Sequence, residues 1–235
     1  VIALLVPSFV VVMVLIMLGS DLGTTVVFAA ILVGLLFVSG IPFRHIVFAS
    51  IVGLAFVATM IVTVPNRMRR LLVVLHPFSP EYYKFTGWQP AHSIMGLASG
   101  GFFGVGLGAS RQKWGNLAEA HTDFIFSVIG EELGLFGTLG VLLLLAALIF
   151  SIFRIAIRAP DPMVRYTCAG IGCWIAVQTV LNLGSATSVL PVVGVTLPLV
   201  SYGGSSLLAT FLALGFVLGA ALRDPAIAPA VKRAR

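Results

Sequence analysis

Apolar and polar positions fall in long blocks along this chain rather than alternating. Runs of roughly twenty almost unbroken apolar residues, the length that crosses a hydrocarbon core of about 30 Å, cover about 1–19, 23–41, 45–64, 125–150, 164–183 and 205–222. Transmembrane β-strands would read instead as short segments of alternating hydrophobicity. The pattern therefore predicts an all-α, polytopic transmembrane helical bundle with six spans, a single integral membrane domain over 1–235. A long loop, 65–123, separates the third span from the fourth, a shorter loop, 184–204, separates the fifth from the sixth, and a basic tail, 223–235, closes the chain.

Composition agrees: 59% of the 235 residues are hydrophobic and 9% charged, against about 25% charged in a soluble domain. The net charge of +6 is scattered over membrane-flanking loops with no aromatic–basic platform, which excludes nucleic acid as a partner. Cys168 and Cys173 share one apolar segment and read as packing residues. No His/Cys spacing suggests zinc, and no residue is assigned as a metal ligand. The chain begins inside an apolar run without Met or a charged leader, which points to earlier helices missing from this sequence.

Charge also predicts orientation. With alternating spans, Arg44, Arg154, Arg158, Arg165, Arg223, Lys232, Arg233 and Arg235 fall on one side, which the positive-inside rule makes cytoplasmic. Asp21 and the two loops then face outward.

Ionisable groups beside a membrane are costly unless they serve something. They concentrate in 106–126, GLGASRQKWGNLAEAHTDFIF, where Arg111 and Lys113 stand near Glu119, His121 and Asp123. Asp123 precedes an apolar run, so it reads either as a helix-start acid or as a carboxylate poised as a general base. Glu131 and Glu132 follow about two turns later and point about 100° apart; they read as interhelical hydrogen-bonding groups. Asp21 has the same ambiguity between helix cap and site residue. Arg67, Arg69 and Arg70 in RMRR lie just beyond the third span, suited either to lipid phosphates in general or to capture of a phosphorylated lipid substrate. The glycines of SGGFFGVGLGASRQK lack the preceding strand of a dinucleotide fold, and suit instead close backbone approach or a re-entrant segment lining a wet cavity. The 184–206 stretch, punctuated by Pro191, Pro198, Gly203 and Gly204, reads as a wall or lid packed on the outer face.

GLGASRQK, LAEAHTDFIFSVIGEELG, LPLVSYGGSS, SDLGTT and RMRR followed by HPFSP together resemble, in the expected order, the signature segments of the SEDS proteins (FtsW, RodA, SpoVE). The form GLG-x-S followed by Q-K leans toward the FtsW branch and cell division. Ser20, Ala118 and the Ser185–Val189 stretch depart from the family pattern without removing an ionisable group. The resemblance implies ten helices, of which this chain carries the last six. It implies a peptidoglycan glycosyltransferase in the bacterial cytoplasmic (inner) membrane, polymerising lipid II at the outer face during septal cell-wall synthesis. The growing glycan on undecaprenyl pyrophosphate is the donor, and the partners are a class B penicillin-binding protein, other divisome proteins and membrane lipids.

By this resemblance Asp123 is the catalytic base. For that reaction, our own reading of the residues expects Lys113, Arg67, Arg69 and Arg70 to stabilise the departing pyrophosphate, Glu119 and His121 to orient the acceptor or the aspartate, and Ser110, Gln112 and Asp21 to complete the substrate-binding set. Glu131, Glu132, Ser201, Tyr202, Gly203 and Gly204 are expected to support them. A divalent cation, Mg or Mn, could share the charge, though no motif fixes it. The alternatives are a lipid II flippase, which predicts charged residues along the spans, and a non-catalytic scaffold that recruits a penicillin-binding protein.

Overall fold

A computed structural model describes residues 2–223, with side chains from Leu5; the expected tail residues Lys232, Arg233 and Arg235 lie outside the described residues. The described residues are helical and contain no strand. In chain order the helices are α1 (Ile2–Leu18), α2 (Leu22–Val38), α3 (Phe43–Val62), α4 (Pro65–Leu75), α5 (Pro80–Tyr83), α6 (Trp88–Ser99), α7 (Ile125–Arg158), α8 (Pro162–Ala186) and α9 (Gly204–Arg223). Helices α3, α7, α8 and α9 are long and apolar enough to cross a membrane. Helices α1 and α2 are as apolar but 17 residues each, at the short end of what a bilayer core accepts.

The 65–123 stretch differs most from its expectation as a loop. Pro65 supplies the fixed φ that suits a first helical position, and α4 runs from it through the RMRR cluster. Its polar residues, Arg67, Arg69 and Arg70, hide it from a search for apolar runs. Helices α5 and α6 follow in the same stretch.

The chain packs as two compact units. Among the described residues, the first comprises 2–52, 146–177 and 204–223. Its core is Ile152, Ala156, Cys168, Ala169, Ile175 and Val217. Both cysteines are free, and Gly34 leaves the room that the Cys173 side chain occupies. Asp21 caps α2 here, its carboxylate accepting from Thr24 N at 2.9 Å and Thr24 Oγ1 at 2.6 Å.

The second unit comprises residues 53–145 and 178–203. Its core clusters are Leu117, Ala120, Phe124 and Val128, and Phe126, Leu145, Ala186 and Leu197. A buried polar junction joins its helices: Ser93 on α6 bonds Ser127 on α7 and donates to Ala186 O on α8 at 2.6 Å.

Helix α7 is broken two turns after it begins. Gly134 takes φ 66°, ψ −160°, a conformation open essentially to glycine alone. The break frees two carbonyls and two amides, and the glycine-rich stretch fills all four positions. Val105 N and Gly106 N donate to Glu131 O and Glu132 O at 2.9 and 3.1 Å, while Leu135 N and Phe136 N donate to Gly101 O and Phe102 O at 2.9 and 3.3 Å. Such pairing lets irregular backbone persist in an apolar setting, where an unbonded amide or carbonyl is prohibitive. Close approach explains the glycines: a Cβ on Gly100 or Gly104 would collide with the carbonyls of Gly130 or Glu132.

Candidate active site

Asp123 lines a cavity of about 460 Å³ in the second unit, together with Arg70, Lys84, Asn66, Gln89, Trp88 and Gly194 among others. Helix α4 supplies one wall. Asn66, Arg70 and Val73 recur at spacings of four and three residues, which puts them on one helical face. Arg69 points about 100° away from Arg70, and neither it nor Arg67 lines the cavity. Arg70 Nη1 donates to Val192 O at 3.3 Å, and Arg67 Nη1 to Met60 O at 3.3 Å. The Trp88 ring stacks on His92, centroids 3.9 Å apart, and its Nε1 donates to Asn116 O at 2.6 Å.

The backbone beneath Asp123 is clamped at three successive carbonyls. Tyr202 N donates to His121 O at 2.9 Å, Ser201 Oγ to Thr122 O at 2.5 Å, and Asn182 Nδ2 to Asp123 O at 2.8 Å. Asn182 also donates to Val195 O at 2.7 Å, and Leu197 N donates to Ser201 Oγ at 2.7 Å. These bonds tie the strip to α8 and to the expected wall segment. Gly194, at φ 73°, faces the carboxylate; a Cβ there would lie 3.5 Å from Asp123 Oδ2.

No described residue donates a hydrogen bond to the Asp123 carboxylate. It is half-buried, and burial first, then the nearby negative charge of Glu119, push its pKa above the ordinary carboxylate range. Desolvation and a like charge both disfavour the anion, so the group becomes a stronger proton acceptor when ionised. Glu119 sits at φ 57°, held there by its own side chain, whose Oε2 accepts from Thr122 Oγ1 at 2.7 Å. His121 is exposed, its ring 5.7 Å from that of Tyr202.

The rest of the predicted set gathers elsewhere. Glu131, 2% exposed, accepts from Ser110 Oγ at 2.5 Å, Arg111 N at 3.0 Å and Gln112 N at 3.3 Å. Lys113 Nζ lies 3.6 Å from Glu132 Oε1 and 5.5 Å from the Trp114 ring. Ser110, Gln112 and Lys113 therefore serve the α7 break, and none lines the Asp123 cavity. Asp21 is engaged in capping α2. Gly203 and Gly204 lead from the clamp into α9.

Sequence reasoning missed Lys84, Trp88 and Asn182. The first two lie in aromatic-rich YYKFTGW, which resembles ordinary interface sequence; Asn182 was detectable as a polar residue in an apolar span. Among the described residues no group of three or more His, Cys, Asp or Glu could hold a metal ion. Asp123 is the single carboxylate lining the cavity, one ligand toward the one or two carboxylates that, with substrate phosphates, ordinarily hold Mg.

The helices and the clamped acid define a polytopic α-helical membrane protein with an ionisable cavity in its second unit. The family model of FtsW, RodA and SpoVE cell cycle proteins matches residues 1–224, and the chain belongs to that family. It is 44% identical over 201 residues to the probable peptidoglycan glycosyltransferase FtsW of Tolumonas auensis, covering 84% of this chain and 52% of that protein. It is 39% identical over 204 residues to stage V sporulation protein E of Bacillus subtilis, covering 87% and 55%. Among solved structures, the one described as "Structural coordination of polymerization and crosslinking by a peptidoglycan synthase complex" superposes with a TM-score of 0.73 at 33% identity, over 92% of this chain and 60% of that chain. The Thermus thermophilus rod shape determining protein RodA gives 0.61 at 32%, over 92% and 54%. The chain spans about half the length of the curated relatives it matches.

Proposed function

We propose that this chain carries the catalytic half of a peptidoglycan glycosyltransferase that polymerises lipid II, in septal cell-wall synthesis, at the outer face of the bacterial cytoplasmic membrane. One observation carries the reading: a half-buried, proton-seeking Asp123 shares a cavity with two cations, Arg70 and Lys84. A transfer from a lipid pyrophosphate needs those two functions together. The names of the FtsW relatives, peptidoglycan glycosyltransferases, support the substrate class. The similar solved structure, a peptidoglycan synthase complex that coordinates polymerization and crosslinking, supports a crosslinking partner, for which we infer a class B penicillin-binding protein. The outward orientation rests on the distribution of basic residues.

In the reaction, the 4-hydroxyl of the lipid II sugar attacks the anomeric carbon of the donor glycan. A new C–O bond forms on one face as the bond to undecaprenyl pyrophosphate breaks on the other, inverting an α-linkage to β. Asp123 takes the hydroxyl proton. Arg70 and Lys84 meet the charge growing on the pyrophosphate, an electrostatic role worth most in a partly desolvated cavity. A divalent cation would have to be held chiefly by the substrate's own phosphate oxygens, and no step depends on it. Trp88 and Phe85, on the cavity wall, offer apolar faces for a sugar ring. The sequence of bond changes needs no carrier path through the spans, which separates it from flipping.

The test is lipid II polymerisation by the full-length protein with its partner synthase, wild type against Asp123→Asn. Product length is read on gels of labelled glycan. An Asn variant that folds, binds its partner and still polymerises at the wild-type rate would falsify this assignment; retained polymerisation with lost lipid II translocation would point to a flippase.

A further inference from the structure

The first unit encloses a second cavity, of about 360 Å³, where the last turns of α7 and α9 meet the Pro160–Asp161 turn. Arg158 and Arg223 line it together with the Asp161 carboxylate and an apolar wall that includes Val164 and Phe216. Neither arginine has a carboxylate partner among the described residues. Asp161 forms no ion pair with either, and its Oδ1 accepts from Met163 N at 2.9 Å; Arg165 Nη2 donates to Ala159 O at 3.0 Å. A cation at a helix C-terminus is favoured by the macrodipole. That accounts for each arginine on its own helix. It does not account for both facing one cavity.

The ligand that fits has a phosphate for the two guanidinium forks and hydrocarbon for the wall beside them. We propose that this cavity binds the headgroup of an anionic phospholipid, with Arg158 and Arg223 on the phosphodiester and the acyl chain against Val164 and Phe216. Basic pockets between membrane helices recognise acidic headgroups in this way. Inorganic phosphate offers the same oxygens, but leaves the apolar wall in water. The site is independent of the reaction assigned to Asp123.

The experiment places the full-length protein in nanodiscs of phosphatidylcholine with a minor fraction of phosphatidylglycerol, and counts retained lipids by native mass spectrometry. Wild type is expected to retain phosphatidylglycerol selectively, and Arg158→Gln/Arg223→Gln to lower that preference by about tenfold or more. Arg158→Lys/Arg223→Lys keeps both charges but loses the paired donors of the forks, and should keep only part of the preference. Arg154→Gln removes a neighbouring exposed cation that does not line the cavity, and should leave it unchanged. Should the double Gln variant fail to fold, the single variants decide the matter, each expected to lower the preference by a smaller factor. Undiminished selectivity in folded Gln variants overturns the site. An equal loss in Arg154→Gln would show diffuse surface charge instead, and displacement of the lipid by millimolar inorganic phosphate would show a phosphate site.

Discussion

Asp123 and Glu131 are both carboxylates, placed two turns apart around the start of α7, and they have opposite surroundings. Glu131 is buried and saturated, with a hydroxyl and two backbone amides donating to its oxygens. Asp123 is half-buried with no described donor on its carboxylate, while its backbone carbonyl is firmly held. Donors directed at the charged form stabilise it and use up its lone pairs; burial without donors keeps the proton near and the lone pairs available. The first arrangement builds structure and the second leaves a group able to react. Two acids that look alike in a sequence are thus separated by who donates to them.

The contrast is sharpest in a pair of neutralising substitutions. Asp123→Asn should lower lipid II polymerisation by about a hundred- to ten-thousand-fold, the usual worth of a positioned general base. It should not lower thermal stability at neutral pH. The folded-state pKa of Asp123 lies above its unfolded value, so its stabilising contribution is full below the unfolded value and lost as pH rises through the folded one. At neutral pH Asn therefore removes an unfavourable buried charge. Glu131→Gln should behave in reverse, replacing an acceptor oxygen with an amide that faces donors, at a cost of about 1–3 kcal/mol in stability. Thermal melts of the two purified variants beside the polymerisation assay separate the roles; equal melting losses would erase the distinction.

The α7 break supplies the next largest effect. Gly104 has φ 79°, and a Cβ there would strike Glu132 O. Gly104→Ala should cost about 2–4 kcal/mol from backbone strain and displaced packing. Gly101, at φ 55° with open space around its Cα, should cost only the strain, about 1–2 kcal/mol. Melting temperatures of the two alanine variants check this. Similar losses would mean that the loop does not depend on close approach to α7.

Long apolar helices were legible because a bilayer demands about twenty apolar residues in a row, and α3, α7, α8 and α9 satisfy that demand plainly. The close backbone approach of the glycine-rich stretch was legible for the same kind of reason, since so many glycines have few other uses. Helix α4 was not. Its polar face looks outward into a cavity, so RMRR read as a loop of equivalent cations, when helical geometry gives the cavity Arg70 alone. Lys113 was misleading by proximity: it stands ten residues before Asp123 in sequence, yet pairs with Glu132. Lys84 stands far away in sequence and lines the Asp123 cavity. Sequence distance carries little information about which charges share a site when a helix and a turn intervene.

Arg70 against Arg69 tests that point. On the proposed reaction, Arg70→Ala should lower kcat/KM for lipid II by about ten- to a hundredfold, the worth of one charge-assisted contact. Arg69→Ala should stay within about twofold, as an exposed charge does. Steady-state kinetics on both variants decide it, and equal losses would mean that RMRR acts as a diffuse basic belt.

The smallest expected effect is also the most specific. Glu119 raises the Asp123 pKa through its charge, second to burial. Glu119→Gln removes the charge but keeps an oxygen that can accept from Thr122 Oγ1, so the left-handed turn at 119 can persist. Asp123 works as a base only when ionised, so activity falls as pH drops through its folded pKa. Without the neighbouring anion that pKa declines, and the acid limb of the pH–rate profile should move to lower pH. Burial is unchanged, so the limb should still lie above that of an ordinary carboxylate. A profile of kcat/KM against pH for wild type and Glu119→Gln reads both predictions at once. A shift to higher pH would mean that Glu119 acts on the acid through geometry rather than charge, and an acid limb already at the ordinary carboxylate value in wild type would remove desolvation as the source of the basicity of Asp123.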